Sequence, residues 1–398
     1  MKQKKILVLA GTHFQIPVIE YAKSLGHYVI TCDNRPWNVG HRHSHHYLNI
    51  STTDHNAILD AARTLCIDAI IVYGTDPAAP TAAFISEAMG LPGNSLLSVN
   101  RLSNKRLFRQ FLAENSFNFP DFKTFNSLIE AQKYADQQIG RLLIKPVDSS
   151  GSKGVYFCNP GEHIDQKFES AISYSRSQEV IIESYIERKG PHLHGEAFVS
   201  QGKIVFLLLG DQYFSDVNPC APISTTLPGM EHQEFMDIVG SELNRLIGLL
   251  GYKSGGLNIE IIRDVNDRVF FIEVGARNGG NLMPELAELA TGFNLAAANV
   301  IAALGDPVDL PYQIQKDKYC TQVILHSRLA GKLKGENIPA VFNGSLKKKL
   351  LYYELGDLIN PYHNSQDVIG VNLYSFNEKD TCKSLIDFVL NHDLIQLT

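Results

Sequence analysis

Residues 255–281 constrain the fold more than any other part of the sequence, because they predict a β-hairpin followed by a glycine-rich loop. The first strand alternates apolar and polar residues and contains Glu260, whereas the second is apolar except for Glu273. Asn266 and Asp267, which lie between the strands, are typical turn residues. A two-residue loop at these positions places Glu260 directly opposite Glu273 on one face of the hairpin.

The two glutamates predict a metal site. Like charges that face each other across a hairpin destabilise it unless a cation lies between them. Carboxylate oxygens suit Mg²⁺ that is shared with nucleotide phosphates, and Arg277 lies close by in the sequence. A glutamate at the end of a strand is more often simply solvated. Glu273 is the stronger candidate of the two, because it follows an apolar strand and precedes a polar segment rich in glycine.

The composition indicates a globular protein of two or three domains. The chain has 398 residues, of which 44% are hydrophobic and 20% are charged, enough for more than one core. A formal net charge of −6 gives no general attraction to nucleic acids. No apolar run reaches the ~20 residues of a membrane span. The six cysteines lack the spacing of zinc sites or disulfide frameworks, which is typical of a reducing compartment. Together these features lead us to expect a cytoplasmic protein without nucleic-acid or membrane partners.

The first hundred residues alternate between strands and helices, which predicts a parallel sheet. Strands are expected over residues 6–10, 28–32 and 69–73, and helices over residues 16–25, 54–65 and 80–89. Ligands of such sheets bind beyond the carboxyl ends of the strands, where Gly11, Asp33 and Asp76 lie. The dinucleotide motif GxGxxG and the P-loop motif are absent. Four histidines in residues 41–46 fit a solvated loop better than a metal site.

After residue 104 the pattern predicts a helix and then a β-rich flap. The helix is expected over residues 105–114, and strands over residues 142–146, 155–157 and 180–183. The loop 147–154 between two of these strands is rich in serine and glycine. Backbone amides of such a loop can bind an anion, and Gly151 and Gly154 permit close approach of phosphates. Lys145 follows an apolar run and is expected to reach a ligand rather than bulk water.

The rest of the chain predicts more strands and helices. Strands are expected over residues 196–199, 204–209, 321–326, 349–353 and 368–373, and helices over residues 231–250, 284–290 and 380–390. The tail from residue 305 carries no catalytic constellation. We interpret it as a lobe that completes the C-terminal domain.

Five motifs follow one another along the chain: Lys105, Lys145 with its Ser/Gly loop, Glu183-Ser-Tyr-Ile, Glu196, and Glu260 with Glu273-Val-Gly-Ala-Arg277. This ordered set resembles the ATP-grasp superfamily over roughly residues 1–330, in particular its carboxylate–amine ligases, such as the L-amino acid ligases and the carbamoyl-phosphate synthetase large-chain unit. The resemblance implies an α/β and α+β ATP-grasp fold. Its expected parts are an N-terminal doubly wound parallel-sheet domain (residues 1–103), a β-rich flap region (104–196) and a C-terminal ATP-grasp domain with a terminal lobe (197–398).

The resemblance also implies roles for individual residues. Lys105 and Lys145 would contact nucleotide phosphates, with Lys145 also near the adenine. The flap residues Ser149, Ser150, Gly151, Ser152 and Gly154 would cover the phosphates. Glu183 would accept from the adenine amino group, Ser184, Tyr185 and Ile186 would complete the base site, and Glu196 would bind ribose. Glu260 and Glu273 would hold Mg²⁺, with Mn²⁺ as an alternative, and Arg277 would steady the transferring phosphoryl group.

One position departs from the family pattern. Many relatives have an asparagine metal ligand two residues beyond the second glutamate, where this chain has Gly275. Either Asn278 or water supplies that ligand, or a second metal ion binds weakly.

The function implied is an ATP-dependent ligase that joins a small carboxylate to an amine through an acyl phosphate and releases ADP. The alternatives are a biotin-dependent carboxylase and a nucleotide-binding protein without turnover. The reacting carboxylate is expected next to Asn278, Gly279, Gly280 and Asn281, with Asp76 and His13 as candidates for contacting the amine. An exposed N-terminal domain is also compatible with a homodimer.

Overall fold

The computed structural model describes residues 2–229, 233–315 and 317–398. The strands are β1 (Lys5–Leu9), β2 (Tyr28–Cys32), β3 (His46–Leu48), β4 (Ala69–Val72), β5 (Phe122–Phe125), β6 (Leu142–Pro146), β7 (Tyr156–Cys158), β8 (Val180–Ser184), β9 (His192–Ser200), β10 (Lys203–Phe214), β11 (Pro222–Leu227), β12 (Gly255–Arg263), β13 (Val269–Gly275), β14 (Tyr319–Leu325), β15 (Gly331–Glu336), β16 (Leu346–Leu351), β17 (Leu358–Ile359), β18 (Gly370–Phe376) and β19 (Ile395–Leu397).

The α-helices are α1 (Ile16–Ser24), α2 (His55–Leu65), α3 (Ala79–Met89), α4 (Leu96–Ser103), α5 (Lys105–Glu114), α6 (Leu128–Ala135), α7 (Asp165–Ser173), α8 (Gln233–Leu250), α9 (Met283–Thr291), α10 (Leu295–Ala303) and α11 (Lys379–Asn391). The helix predicted over residues 231–250 corresponds to α8, and Glu231 lies outside the described residues. Within the described part of the chain, no single helix is long and apolar enough to cross a membrane; only α9 and α10 together have that length and composition, and they form a bend of 109°.

The N-terminal strands form a four-stranded parallel sheet in the order β3-β2-β1-β4. Its faces are buried because the strands alternate two sets of apolar side chains, as Ile6 and Leu7 of β1 illustrate. One set packs on α2 and α3, and the other packs on α1 and the distant α10. The predicted doubly wound sheet is confirmed, although the sequence did not indicate α10 as part of its cover.

The flap region is a four-stranded antiparallel sheet in the order β5-β8-β6-β7. The predicted Ser/Gly loop connects β6 to β7. Helices α6 and α7 contribute Ala131 and Phe168 to the core beneath this sheet. The sheet therefore holds Lys145 and Glu183 on adjacent, paired strands.

The largest sheet has eight strands in the order β13-β12-β9-β10-β11-β14-β18-β16. Helices α5 and α8 pack against one face at its β13 end. The domain division stays a prediction, and its second boundary, after residue 196, falls within the continuous strand β9. A smaller three-stranded sheet, β17-β15-β19, lies in the tail.

The hairpin β12–β13 has the predicted pairing, with Glu260 opposite Glu273. The predicted two-residue loop is wrong, because Asp264 N–H donates to Arg268 O and leaves residues 265–267 as a three-residue loop. A register shift on β13 at Ile272 compensates for the extra loop residue. This β-bulge restores the alignment of the two glutamates.

Candidate functional site

A single cleft of about 2340 Å³ brings together most of the residues predicted to be functional. It is lined by the flap loop 149–154, the segment 183–186 and the carboxyl-end loops of the parallel sheet. The following predicted site residues line it: Asp76, Lys105, Lys145, Ser149, Ser150, Gly151, Ser152, Gly154, Glu183, Ser184, Tyr185, Ile186, Glu260, Glu273, Arg277, Gly280 and Asn281. Glu196, Asn278 and Gly279 do not line it.

The glutamate pair has the electrostatics of a cation site. Burial, followed by the nearby charge of Glu273, raises the pKa of Glu260 to about 7. The nearest basic group on the paired strand, His192 Nε2, is 3.7 Å from Glu260 Oε2, and burial lowers the pKa of His192 to about 3. Because this imidazole is neutral at ordinary pH, it does not neutralise the carboxylates. The pair therefore fits Mg²⁺ bound jointly with phosphate oxygens.

The described residues contain no cluster of three or more His, Cys, Asp or Glu side chains suited to a metal ion. A nucleotide-bound Mg²⁺ typically keeps phosphate and water oxygens among its ligands, which is compatible with two carboxylates from the protein. The histidines of residues 41–46 bond to neighbouring groups instead: His41 Nδ1 lies 2.9 Å from Thr31 Oγ1, and His43 Nδ1 lies 2.7 Å from Glu20 Oε1.

The raised pKa of Glu260 predicts a pH dependence of stability. The folded state favours the protonated carboxyl, so the contribution of Glu260 is fully present below its ordinary pKa of 4.5. It is lost as pH rises through about 7. In EDTA, the free energy of unfolding of the wild type should therefore fall over this window relative to that of Glu260→Gln, as measured by urea titration. Parallel pH profiles of the two proteins would contradict the raised pKa.

Lys145 and Glu183 form part of a buried ion-pair network. Lys145 Nζ donates to Glu183 Oε2 at 2.8 Å, and Arg109 Nε donates to Glu183 Oε1 at 2.8 Å. Although burial opposes ionisation, the charges of Arg109 and Lys145 hold the pKa of Glu183 at about 2. Both carboxylate oxygens already accept from cationic partners, so a contact of Glu183 with an adenine amino group would be additional to these bonds and stays a prediction. The bond from Lys145 also lets Glu183 orient that lysine in the cleft.

Arg109 is the most consequential residue that the sequence analysis missed. It is fully buried. Besides Glu183, its guanidinium donates to Phe271 O at 3.3 Å and to Ile272 O at 2.9 Å, the carbonyls at the β13 bulge. Through Glu183 on β8, Arg109 thus connects the flap sheet with the hairpin that carries the glutamates. An arginine on the apolar side of the amphipathic helix α5 was the available signal.

The segment predicted to bind the base, residues 184–186, already uses two of its backbone amides within the protein. The amide of Ser184 donates to Asp121 O, and that of Tyr185 donates to Arg141 O. Neither amide can then donate to a ligand without losing a bond, so among the backbone N–H groups of this segment that of Ile186 is the candidate donor. The Arg141 guanidinium lies over the rings of Phe157 (5.5 Å) and Tyr185 (5.4 Å). These groups make a flat-sided recess at this end of the cleft.

The flap loop is held closed over the cleft by three contacts. Lys105 Nζ donates to Ser149 O at 2.6 Å, and Ser152 Oγ donates to Cys220 O at 2.7 Å. Ser365 N–H donates to Gly151 O at 3.0 Å. The tail is thus more than a lobe completing the fold, because residues 360–367 line the cleft and contact the flap. Residue 151 must be glycine for Ser365 to lie this close, because a Cβ on Gly151 would lie 2.2 Å from Ser365 Oγ.

Arg277 is fixed by Asp76 from the other side of the cleft. Its Nε and Nη2 lie 2.7 Å and 2.5 Å from Asp76 Oδ1. This ion pair gives Asp76 a positioning role, so the expected contact of Asp76 with an amine is not its main interaction. A Cβ on Gly275 would lie 3.4 Å from both Arg277 Cζ and Asp76 Oδ1, which is an ordinary van der Waals contact.

Glu196 supports the loop after β13 rather than a ligand. It is fully buried. It accepts from Asn278 Nδ2 at 2.6 Å, from Gly279 N at 2.7 Å and from Asn258 Nδ2 at 3.2 Å. The ribose contact expected for Glu196 does not fit, since its carboxylate does not reach the cleft. Burial raises its pKa to about 7.

The side chain of Asn278 likewise bonds to protein groups and does not face the glutamate pair. It is fully buried, and its Oδ1 accepts from Asn299 Nδ2 at 2.6 Å. With its amide also bonded to Glu196, it cannot be the third metal ligand, which leaves water or the nucleotide. Asn281 adopts a positive φ of 51°, and its carbonyl accepts from Gln322. Of the predicted substrate loop, Gly280 and Asn281 face the cleft.

Two further cleft residues carry unused hydrogen-bonding atoms. His192 on β9 pairs across the sheet with Gln212 on β10, and both side chains are buried. His192 Nε2 and Gln212 Oε1 have no hydrogen-bond partner within the described residues. Buried polar atoms are normally satisfied, so these two indicate contact with a ligand. The strands predicted over residues 196–199 and 204–209 stop short of both residues, whereas β9 and β10 extend to include them, so the sequence analysis missed them.

Part of this chain matches a known family model and the sequence of another protein. The family model of the ATP-grasp domain matches residues 102–281, which contain the flap, the glutamate pair and Arg277. The protein y4rH of Sinorhizobium fredii is 26% identical over 238 residues, corresponding to 58% of this chain. That match spans 48% of y4rH, so this chain accounts for about half of the relative.

Two solved structures share the fold over nearly the whole chain. An L-amino acid ligase from Bacillus licheniformis has a TM-score of 0.83 at 20% identity, with 100% of each chain covered. The biotin carboxylase domain of 2-oxoglutarate carboxylase from Hydrogenobacter thermophilus, in complex with MgADP, ADP and bicarbonate, has a TM-score of 0.74 at 17% identity. That match covers 99% of this chain and 90% of the carboxylase chain. At these identities the likeness is one of fold.

Proposed function

We propose that this protein, whose residues 102–281 match the family model of the ATP-grasp domain, is an ATP-dependent ligase that joins a small carboxylate to an amine and releases ADP and phosphate. The observation that carries the proposal is the pairing of Glu260 with Glu273 in a cleft that also presents Lys105, Lys145 and Arg277. Two carboxylates for a divalent cation, surrounded by three cations, match the charge of a nucleotide triphosphate.

The chemistry begins with activation of the carboxylate. A carboxylate does not react with an amine directly, because its leaving group would be oxide. Attack of a carboxylate oxygen on the γ-phosphorus of ATP forms an acyl phosphate and breaks the bond to ADP. The amine then attacks the acyl carbon, phosphate leaves, and the amine loses a proton. Phosphoryl transfer needs positioning and charge neutralisation more than covalent help.

Lys105, Lys145 and Arg277 have distinct positions for phosphoryl transfer. Lys145 is oriented by Glu183, and Lys105 is tied to the flap through Ser149 O. Both are proposed to contact the nucleotide phosphates, with the adenine in the recess beside Tyr185. Glu260 and Glu273 would hold Mg²⁺, which supplies charge neutralisation between the phosphate oxygens.

Arg277 is proposed to act on the transferring phosphoryl group. Asp76 fixes its guanidinium, and Gly280 and Asn281 lie in the loop that follows it. The backbone of this loop can approach the reacting carboxylate closely because glycine carries no side chain. The closed flap excludes water, which would otherwise hydrolyse an acyl phosphate.

A mass-spectrometric screen tests the proposal. Pools of small carboxylic acids and amines are incubated with the protein, Mg²⁺ and ATP, and products are sought at the mass of an acid–amine pair minus water. ADP and phosphate should form in step with the product. Release of AMP and pyrophosphate, or formation of no condensed product with any pool, would contradict a ligase of this type.

A biotin-dependent carboxylase is the second candidate, because the fold also matches a biotin carboxylase domain. The same assay separates the two. ADP release that requires bicarbonate and biotin, and that no pool of acids and amines stimulates, would favour the carboxylase. The cytoplasmic location and a homodimer stay predictions from the sequence.

Nucleotide binding is expected to protect the flap loop from trypsin. Phosphates of a bound nucleotide would add contacts to the loop 149–154, which otherwise depends on a few hydrogen bonds. Cleavage after Lys153 should slow in Mg²⁺ with a non-hydrolysable ATP analogue. Lys153→Gln should lack the nucleotide-sensitive fragment, which assigns the site. Equal cleavage rates of the wild type with and without the analogue would rule out a nucleotide role for the flap.

A further inference from the structure

Three aromatic side chains line the cleft where the N-terminal domain meets the tail, and the proposed chemistry uses none of them. His13 and Phe14 lie in the turn that follows β1, and Tyr352 lies directly after β16. The ring centroid of Tyr352 is 5.9 Å from that of His13. It is 6.4 Å from the ring centroid of Phe14, with the two ring planes at 90°. Rings from two distant segments therefore form one aromatic wall of the cleft.

This aromatic wall adjoins the loop that is proposed to hold the reacting carboxylate. A Cβ on Gly280 would lie 3.9 Å from Phe14 Cε2, so the ring is within van der Waals reach of that loop. The cleft of about 2340 Å³ exceeds the roughly 300–1,000 Å³ of most ligand pockets, which leaves room for a substrate beside the nucleotide. A substrate whose carboxylate lies at Gly280 and Asn281 can therefore extend its side chain over the aromatic wall.

Tyr352 also carries a hydroxyl group that the protein does not use. Its Oη is buried and has no hydrogen-bond partner in the part of the chain that the structure describes. The nearby carboxylate of Glu285 accepts from Lys348 Nζ at 3.3 Å instead. Burial, followed by the charge of Glu285, raises the pKa of Tyr352, so its hydroxyl remains a donor, and burial lowers the pKa of His13, so its imidazole is neutral at ordinary pH. The wall is thus uncharged and offers an unused donor, which indicates a ligand with a polar atom at this place.

We propose that Tyr352, His13 and Phe14 bind the side chain of the carboxylate substrate, and that this side chain is an uncharged aromatic ring with a hydrogen-bonding group. This inference rests on the proposed ligase function and specifies its acid. The rings of Phe14 and His13 pack against the ring of the substrate, and Tyr352 Oη donates to its polar group. His13, which was a candidate for contacting the amine on sequence grounds, is thereby assigned to the acid.

Calorimetric titration tests this subsite without turnover. Protein with Mg²⁺ and a non-hydrolysable ATP analogue is titrated with propionate, phenylpropionate and the ortho, meta and para isomers of hydroxyphenylpropionate, which carry no amino group and so report on the acid alone. Phenylpropionate should bind at least about tenfold more tightly than propionate, because an apolar ring is buried. At least one hydroxylated isomer should bind about fivefold more tightly still, the usual effect of a neutral hydrogen bond. Carboxyphenylpropionate, whose ring is charged, should bind no more tightly than phenylpropionate.

Tyr352→Phe should remove the advantage of the hydroxylated acid and leave the affinities for phenylpropionate and for the ATP analogue unchanged. Tyr319→Phe is the matched control, because Tyr319 is a half-buried tyrosine of the tail that does not line the cleft, and it should behave as wild type. Phe14→Leu should weaken the binding of phenylpropionate about threefold, the usual effect of losing an aromatic contact, and leave that of propionate unchanged.

Three results would each overturn the proposal: equal affinities for propionate and phenylpropionate, no preference for any hydroxylated isomer, or a preference that persists in Tyr352→Phe. Discrimination in this titration together with a failed condensation screen would retain the aromatic subsite and reject the ligase function. Condensed products in the screen without aromatic discrimination in the titration would retain the ligase function and reject the subsite.

Discussion

Glu273→Gln is expected to abolish ATP turnover while the protein remains folded. The substitution removes one of the two negative charges available to a divalent cation between Glu260 and Glu273. Loss of a group that stabilises developing charge typically costs about 10²–10³ in turnover, and loss of the metal would add to this. The structure should not suffer, because the substitution also removes the repulsion that raises the pKa of Glu260. Coupled measurement of ADP release and thermal melting tests both parts.

The matched control is Glu87→Gln, a change of the same kind at an exposed position on α3. It should leave ADP release and melting unchanged. Glu260→Gln should reduce turnover to a similar or smaller extent than Glu273→Gln. Wild-type turnover by a normally melting Glu273→Gln protein at ordinary Mg²⁺ would remove the metal assignment.

The glutamate pair could be predicted from the sequence because its determinants are local. Alternation within two short strands fixes which residues face the same side, and the polar turn between them sets the register. The loop prediction was wrong by one residue, yet the glutamates still face each other. The bulge at Ile272 absorbs the difference, and its carbonyl is bonded by Arg109, which lies 163 positions away in the sequence. Such a long-range partner leaves no local pattern.

The buried carboxylates were harder to interpret for the same reason. Glu183 and Glu196 each follow the pattern of a residue at a ligand site, and the family resemblance implied nucleotide contacts for both. What decides their roles is the set of partners: Arg109 and Lys145 for Glu183, and Asn278 and Gly279 for Glu196. These partners come from distant segments, so sequence periodicity could locate the carboxylates but not show where their oxygens are bonded.

The same reasoning explains why the role of the tail was missed. Residues 360–367 carry no catalytic motif and give a weak secondary-structure signal. They lie between β17 and β18, and β18 belongs to the same sheet as the glutamate hairpin. The contact of Ser365 with Gly151 then depends on tertiary packing alone. Residues that shape a site without performing chemistry have no sequence signature of their own.

Arg109→Met should cause the largest loss of stability among single substitutions near the site. The change leaves Glu183 buried with Lys145 as its remaining cationic partner, and it deprives Phe271 O and Ile272 O of their donor. Removing one member of a buried ion pair typically costs about 3–5 kcal/mol. Urea denaturation followed by circular dichroism should detect a loss of this size in the free energy of unfolding.

Arg106→Met, one turn earlier on α5, provides the comparison. Its ion pair with Glu179, at 3.2 Å, is partly exposed, and such pairs contribute about 0–1 kcal/mol. The double variant Arg109→Met/Glu183→Gln should lose less free energy of unfolding than the sum of the losses of its two single substitutions, because it leaves no buried Glu183 charge without the Arg109 partner. Equal losses for Arg106→Met and Arg109→Met would show that Arg109 does not hold the flap sheet and the glutamate hairpin together. A loss specific to Arg109, partly recovered when the Glu183 charge is removed, would identify this buried arginine as the residue that couples Lys145 to the glutamate pair.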